Sequence, residues 1–351
     1  MNGPGMRIAE VTVESIDLPP EPLFRWRTGL PGSEPASSGA ILRIKCADGT
    51  EGRAFTRRGA ILSDLVKRRV RGELINQNAW RREYLWHRMW EIDRREPLPT
   101  YVIGLIDVAL WDLAGTALGL PVHRLLGTFR ESIPAYASTV TYDEDKDYLE
   151  VAQQALDLGY QAIKIHGRGD ARRDAELCLR LRSLTGPRTA LMYDGSAGYN
   201  LPDARYLGDA LAEARFTWYE EPMREFSVTA YRWLAEKVGV PLLVAETAPG
   251  AHMNVGDFLA SGCASYVRTG WMHKAGITGS LRISHLAESF LIPAEVHQSG
   301  VVSQHLCMAI PNTTYYESRV VGNPIERESC VDANGMVHAP EHAGFGFVED
   351  V

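Results

Sequence analysis

Three carboxylates recur at one interval. Asp194 closes Leu191-Met192-Tyr193-Asp194, Glu220 closes Trp218-Tyr219-Glu220, and Glu246 closes Leu243-Val244-Ala245-Glu246, so that successive members stand 26 residues apart. Each follows a short apolar run of strand character, and the interval is close to the length of one strand–helix unit. In a barrel of such units, adjacent strands carry all three to the C-terminal rim, where barrels assemble their chemistry. A single acid at a strand end ordinarily serves solubility. Three in register repel one another unless a cation joins them, and oxygen ligands alone suit Mg²⁺ rather than zinc or copper. Glu221, past the strand end and before Pro222, is the poorer ligand of its Glu-Glu pair.

Basic groups face this cluster. Lys164 and His166 are separated by one residue, and the period-two geometry of a strand points both to one side. A lysine aimed into a barrel needs anionic company to offset its burial. On the far side, one run ends in Glu295-Val296-His297 and the last in Tyr315-Tyr316-Glu317. Bases on strands two and seven with a metal between them can address both faces of one carbon. His87, His123, His285 and His305 lack such neighbours and read as structural or solvated.

The positioning elements follow from periodicity. Arg7–Val13 and Ala40–Ile44 alternate as strands, the second before the turn Ala47-Asp48-Gly49-Thr50, and Pro19–Gly39 reads as a long loop. After Arg58 the pattern is helical, clearest over Val102–Ala117, and stops at Gly119-Leu120-Pro121. From Ile133, strands are expected at Ile133–Ser138, Gln161–His166, Ala190–Asp194, Phe216–Glu220, Pro241–Glu246, Ala264–Arg268, Ile292–His297 and Thr313–Glu317, with helices such as Tyr148–Gly159 and Ala171–Thr185 between them. Eight strands with intervening helices predict an α/β fold closed into a barrel. An open doubly wound sheet is the alternative, but no Gly-x-Gly-x-x-Gly follows a strand. The tail from Val321 is expected to return to the first domain.

With 351 residues, 45% of them hydrophobic and 23% charged, the chain has room for two domains and the profile of a soluble globular protein. A net charge of −7 argues against nucleic acid or a membrane surface as partner, and leaves room for an anionic small molecule. The five scattered cysteines carry no Cys-x-x-Cys and predict reduced thiols rather than a disulfide framework. Met1–Glu10 lacks the pattern of a signal peptide, and no run is expected to reach the roughly 20 apolar residues of a membrane span; a cytoplasmic protein is the expectation.

Taken together, Asp194, Glu220 and Glu246 resemble the metal-ligand set of the mandelate-racemase group of the enolase superfamily. Lys164-Ile165-His166 is similar to its Lys-x-Lys, His297 to its seventh-strand histidine, Glu317 to its eighth-strand acid, and Asp107–Leu113 with Gly115 to its interdomain helix. The resemblance covers nearly the whole chain. It implies a modified TIM barrel, (β/α)₇β, at residues 131–320 beneath an α+β capping domain at 1–130 that the segment 321–351 completes. It further implies Mg²⁺ on the substrate carboxylate, and a homo-oligomer.

Three residues depart from the family pattern. Gly270 stands where the family pairs its seventh-strand histidine with an Asp, Ser196 stands for the usual Asn, and His166 for a lysine. Glu295 is a conceivable stand-in for the missing Asp but is expected to lie one layer deeper. The chemistry implied is removal of the proton α to a carboxylate, giving an enediolate that Mg²⁺ and Lys164 stabilise. His166 is then the first candidate base, and His297 the acid that expels a β-hydroxyl. Arg25, Trp26, Arg27 and Arg57 fall in regions that close over the substrate in this family, and point to the polar end of a sugar acid. The expected activity is acid-sugar dehydration to a 2-keto-3-deoxy acid. The alternatives are racemisation, epimerisation or cycloisomerisation through the same intermediate, or a non-catalytic acid-binding descendant.

Overall fold

The computed structural model describes residues 6–19, 21–33 and 38–347; residues 1–5, 20, 34–37 and 348–351 lie outside, and with them parts of the Pro19–Gly39 loop and of the tail. The chain opens with an antiparallel sheet in the order β1 (Ile8–Asp17), β2 (Ser38–Cys46), β3 (Glu51–Thr56). The expected turn joins β2 to β3, with Thr50 N donating to Asp48 Oδ1 at 3.0 Å. Helices α1 (Gly59–Leu65), a π turn (Val66–Val70), α2 (Arg71–Leu74), α3 (Arg82–Asp93), α4 (Thr100–Leu118) and α5 (Val122–Leu125) follow.

Helix α4 corrects one expectation. An 18-residue window within its 19 residues has a mean hydropathy of 1.5, long and apolar enough to cross a bilayer by length and composition, yet 78% of that window is buried inside the protein. The apolarity is that of a central helix packed on every side, which is what an all-round hydrophobic helix signifies in a large protein. Gly119, at φ 64°, ends it in the left-handed conformation expected of a helix C-terminus. Gly104 shows how close the packing is: a Cβ there would lie 2.3 Å from the carbonyl oxygen of Trp271. The two aspartates of α4 act as staples. Asp107 accepts from Thr278 N and Oγ1 at 2.8 and 2.7 Å, while Asp112 accepts from Arg53 N in β3 and from Phe345 N in the tail, both at 2.8 Å.

From residue 132 strands and helices alternate: β4 (Ser132–Ser138), α6 (Asp145–Asp157), β5 (Ala162–His166), α7 (Ala171–Thr185), β6 (Ala190–Asp194), α8 (Leu201–Glu213), β7 (Trp218–Glu220), α9 (Val228–Ala235), β8 (Leu242–Val244), α10 (His252–Ala260), β9 (Tyr266–Thr269), α11 (Gly276–Ser289), β10 (Ala294–Val296), α12 (Val301–Ala309) and β11 (Tyr316–Arg319). Side-chain caps begin several of these helices, including Asp170 before α7, Asn200 before α8 and Ser227 before α9. Strands β4 to β11 run parallel in the order β10-β9-β8-β7-β6-β5-β4-β11, and β12 (Met336–His338) adds antiparallel to β4.

The seam between β10 and β11 has no strand ladder among the described residues. Individual bonds cross it instead: Ala294 N to Asn312 O at 2.8 Å, Val296 N to Thr313 Oγ1 at 3.2 Å, and Gln298 N to Glu317 Oε2 at 2.8 Å. Glu295 also binds here, accepting from the hydroxyl of Thr314 at 2.8 Å and its N at 3.1 Å. Thr313 and Thr314 are thereby taken up by side-chain bonding, so the last strand begins at Tyr316 rather than Thr313. Glu317 consequently lies inside β11 and not at its end.

Alternation on the barrel strands sorts the residues. Tyr136, Ala162, Met192, Trp218 and Leu243 form a small internal cluster, and the next inward residue on each of β5, β6 and β7 is polar: Lys164, Asp194 and Glu220. Strand β8 breaks the rule. It ends at Val244 rather than at Glu246, because Ala245 adopts φ 67° with its N–H bonded to Glu225 Oε1. A left-handed alanine is a strained conformation that its surroundings must enforce. Here it resets the alternation just before Glu246.

Candidate active site

The structure brings Asp194, Glu220 and Glu246 together: all three are buried, and each has a carboxylate oxygen within 4.8 Å of the others. Lys164 Nζ lies amid them, 3.3 Å from Asp194 Oδ2, 3.0 Å from Glu220 Oε2 and 2.9 Å from Glu317 Oε1. Burial alone would lower the pKa of this lysine, but Glu220 and Glu317 hold it well above its ordinary value. Glu317, accepting also from Ser138 Oγ at 2.8 Å, is in turn held well below the carboxylate range by Lys164 and Arg268 against its own burial.

Glu246 is the exception. Burial first, then Glu221, Glu220 and Asp194, push its carboxyl well above the ordinary range, and its buried Oε2 has no partner among the described residues. A crowded carboxylate with an orphaned oxygen is a coordination position, and three oxygen donors fit a hard dication such as Mg²⁺.

His166 stands beside Asp194, its Nε2 3.1 Å from Oδ2, while its buried Nδ1 has no partner. The Trp26 ring packs over it with centroids 4.5 Å apart. Ser196, in the place of the family's Asn, links two segments: its N donates to Asp194 Oδ1 at 2.8 Å and its hydroxyl to the Trp26 carbonyl at 3.1 Å. On the opposite wall His297 Nε2 is 3.3 Å from Glu246 Oε1 and 3.9 Å from Glu317 Oε2. Burial pushes its imidazole down to about 4. Glu295, bound to Thr313 and Thr314, does not serve as its missing carboxylate.

The predicted arginines go elsewhere. Arg25 pairs with Asp143, Arg57 with Glu21 at 2.6 Å, and Arg27 donates to the carbonyls of Ser196 and Thr28 at 3.3 and 3.0 Å. Acceptors brought close by the fold, Asp143, Glu21 and Ser196 among them, engage these arginines, and of the four positions Trp26 packs directly on a predicted site side chain, His166.

Three basic residues escaped the sequence reading. Arg268, buried on β9, grips both oxygens of Glu220 (Nη2 to Oε2 at 2.7 Å) and donates to the Tyr136 hydroxyl at 3.0 Å. Its inward direction follows from alternation with Tyr266 and was there to be read. His273 lies in the loop after β9, its ring centroid 5.3 Å from that of His297 and its Nδ1 3.7 Å from Glu246 Oε1. Lys274 is buried behind Glu246, donating to Ala248 O at 2.8 Å, and burial lowers it to about 8 despite Glu225 and Glu246. No spacing in the sequence marks these last two, since a turn and not a strand aims them.

Models of known families match both parts of this architecture: "Mandelate racemase / muconate lactonizing enzyme, N-terminal domain" over residues 32–127 and "Enolase C-terminal domain-like" over residues 147–350. The crystal structure of D-glucarate dehydratase from Agrobacterium tumefaciens, complexed with magnesium, superposes with a TM-score of 0.88 at 30% identity, covering 97% of this chain and 96% of that one. A 3,6-anhydro-alpha-L-galactonate cycloisomerase from Streptomyces coelicolor is 26% identical, covering 88% of each chain. An arabinonate dehydratase from Saccharolobus solfataricus is 25% identical, covering 76% of this chain and 75% of its own. Fold and site define an enzyme of the enolase superfamily. Within it the chain belongs to the mandelate racemase/muconate lactonizing enzyme family, among relatives that include acid-sugar dehydratases and cycloisomerases.

Proposed function

We propose that this enzyme is a Mg²⁺-dependent acid-sugar dehydratase that removes the proton α to a carboxylate and eliminates the β-hydroxyl, yielding a 2-keto-3-deoxy acid. The observation that carries the reading is the unpartnered, buried Nδ1 of His166 beside the carboxylate cluster. Asp194, Glu220 and Glu246 would hold the metal, which when bound supplies a Lewis acid for the charge developing on the substrate carboxylate.

The remaining work falls to the chain's own side chains. Donation from His166 Nε2 to Asp194 fixes the tautomer that leaves a lone pair at Nδ1, the form a general base needs. Lys164 contributes positive charge, since its carboxylate neighbours hold its pKa well above the ordinary value. Expected from the sequence as the acid, His297 is uncharged in this environment. It therefore serves as hydrogen-bond partner to a substrate hydroxyl, and the proton that the departing hydroxyl needs is the one His166 has just taken. Glu317 and Arg268 position Lys164 and Glu220. Trp26 walls the base from water, and Arg25, Arg27 and Arg57 brace the loops that border the site.

Cycloisomerisation is the second reading, favoured by the similarity to the galactonate cycloisomerase. A screen of sugar acids with Mg²⁺, reading keto-acid formation, tests the proposal. Product from the wild type and none from Glu246→Gln supports it. Ring-opened or cyclised isomers without keto acid would replace it with the second reading.

A further inference from the structure

Oε1 of Glu246, the neighbour of its unpartnered Oε2, faces two imidazoles. It lies 3.3 Å from His297 Nε2 and 3.7 Å from His273 Nδ1, and one ligand atom from each of these three residues falls within 4.8 Å of the others. We propose that Glu246, His273 and His297 form a second cation site, for a borderline dication of the Zn²⁺ or Co²⁺ kind, adjoining the all-oxygen site.

The separations carry the argument. Four ligands at about 2.0–2.1 Å around a tetrahedral ion stand roughly 3.3–3.4 Å apart, whereas neighbouring ligands around octahedral Mg²⁺ stand only about 2.9–3.0 Å apart. The His297–Glu246 gap of 3.3 Å matches the first spacing, and the His273–Glu246 gap of 3.7 Å lies on its wider side, farther from the octahedral value. Donor type agrees: two imidazole nitrogens and one carboxylate oxygen suit zinc and its neighbours and bind Mg²⁺ poorly. A second observation is independent of the spacing, since the Nδ1 of His273 is buried without a hydrogen-bond partner. The His273 side chain is 31% exposed, which leaves a way in for an ion.

Gly270 allows this arrangement. An Asp here would compete for His297, and even a Cβ would stand 3.1 Å from the His297 carbonyl. A filled site would withdraw His297 from the substrate and engage one oxygen of Glu246, so the ion would inhibit the Mg²⁺ enzyme. The inference rests on ligand geometry and not on the proposed reaction; its test needs no turnover.

The test is a Co²⁺ titration of the full-length protein after removal of metals, followed by visible absorption, with and without a large excess of Mg²⁺. One equivalent of cobalt with the strong absorption of a low-coordinate, nitrogen-ligated ion, persisting in Mg²⁺, is expected. His273→Ala should weaken that binding by about tenfold or more, while Glu220→Gln should leave it in place. Circular dichroism verifies each fold, and His273→Gln repeats the reading with a bulkier side chain. Weak absorption of octahedral type, displacement by Mg²⁺, or an unchanged spectrum in both His273 variants would overturn the proposal.

Discussion

His166 and Asp194 are paired neighbours in the register of β5 and β6, and their side chains meet at 3.1 Å between Nε2 and Oδ2. A candidate base and a candidate metal ligand are thus one unit, held by a strand ladder rather than by a loop. A site on rigid elements keeps the geometry that proton transfer requires.

Lys164 is a buried cation at the centre of the site, ringed by Asp194, Glu220 and Glu317. Removing one partner from such a buried set costs about 3–5 kcal/mol. Lys164→Met should lower the thermal midpoint of the metal-free protein markedly and abolish turnover. Added Mg²⁺ should recover part of the stability but none of the activity, as calorimetry with and without the ion will show.

Glu246 should respond in the opposite sense. Its carboxyl is raised by burial and by three neighbouring acids, so Glu246→Gln is expected to make the metal-free protein more stable than the wild type. Mg²⁺ at about 100 times its Kd should stabilise the wild type by about 2.7 kcal/mol, reversibly with chelator, and the variant by far less. Thermal unfolding over a Mg²⁺ series measures both.

Restoring the family's Asp at position 270 should not restore a dyad. A Cβ at Gly270 would stand 3.1 Å from the carbonyl oxygen and 3.2 Å from the Cβ of His297. Gly270→Asp is expected to cost about 1–3 kcal/mol of stability through strain, and to lower kcat by displacing His297. Denaturant unfolding and steady-state kinetics on the same preparation check the two effects.

Asp107 ties α4 to α11, and burial pushes its carboxyl up to about 7. The folded state therefore holds this proton more tightly than the unfolded chain, and the group's contribution to stability falls as pH rises from about 4 to about 7. Asp107→Asn removes that titration. The wild type minus variant stability should decline across this window by an amount on the order of 4 kcal/mol, and stay level above it. Chemical denaturation at a series of pH values gives the difference directly.

Much of the site was legible because strands impose parity. Asp194, Glu220 and Lys164 end or occupy regular strands, and alternation alone aims them inward. Glu246 was found by spacing, although the left-handed Ala245 that turns it inward leaves no mark in the sequence. Arg268 is readable by the same parity. His273 and Lys274 follow the strand, where a turn sets direction and pattern is silent. The loop arginines show the same limit: charge is visible in a sequence, but the partner it meets, such as Glu21 for Arg57, depends on tertiary contact. Helix α4 was placed within two residues at its start and one at its end, since Gly119 and Pro121 are strong stops.

The central claim is that His166 moves a proton between substrate carbon and departing hydroxyl. The most direct test is turnover of the substrate in deuterated water, followed by NMR and mass spectrometry, for wild type and His166→Asn. The account predicts a 2-keto-3-deoxy acid carrying one solvent deuterium at C3 from the wild type, and no product or exchange from the variant. Full turnover by His166→Asn, or deuterium at C2 of recovered acid with no keto product, would contradict it.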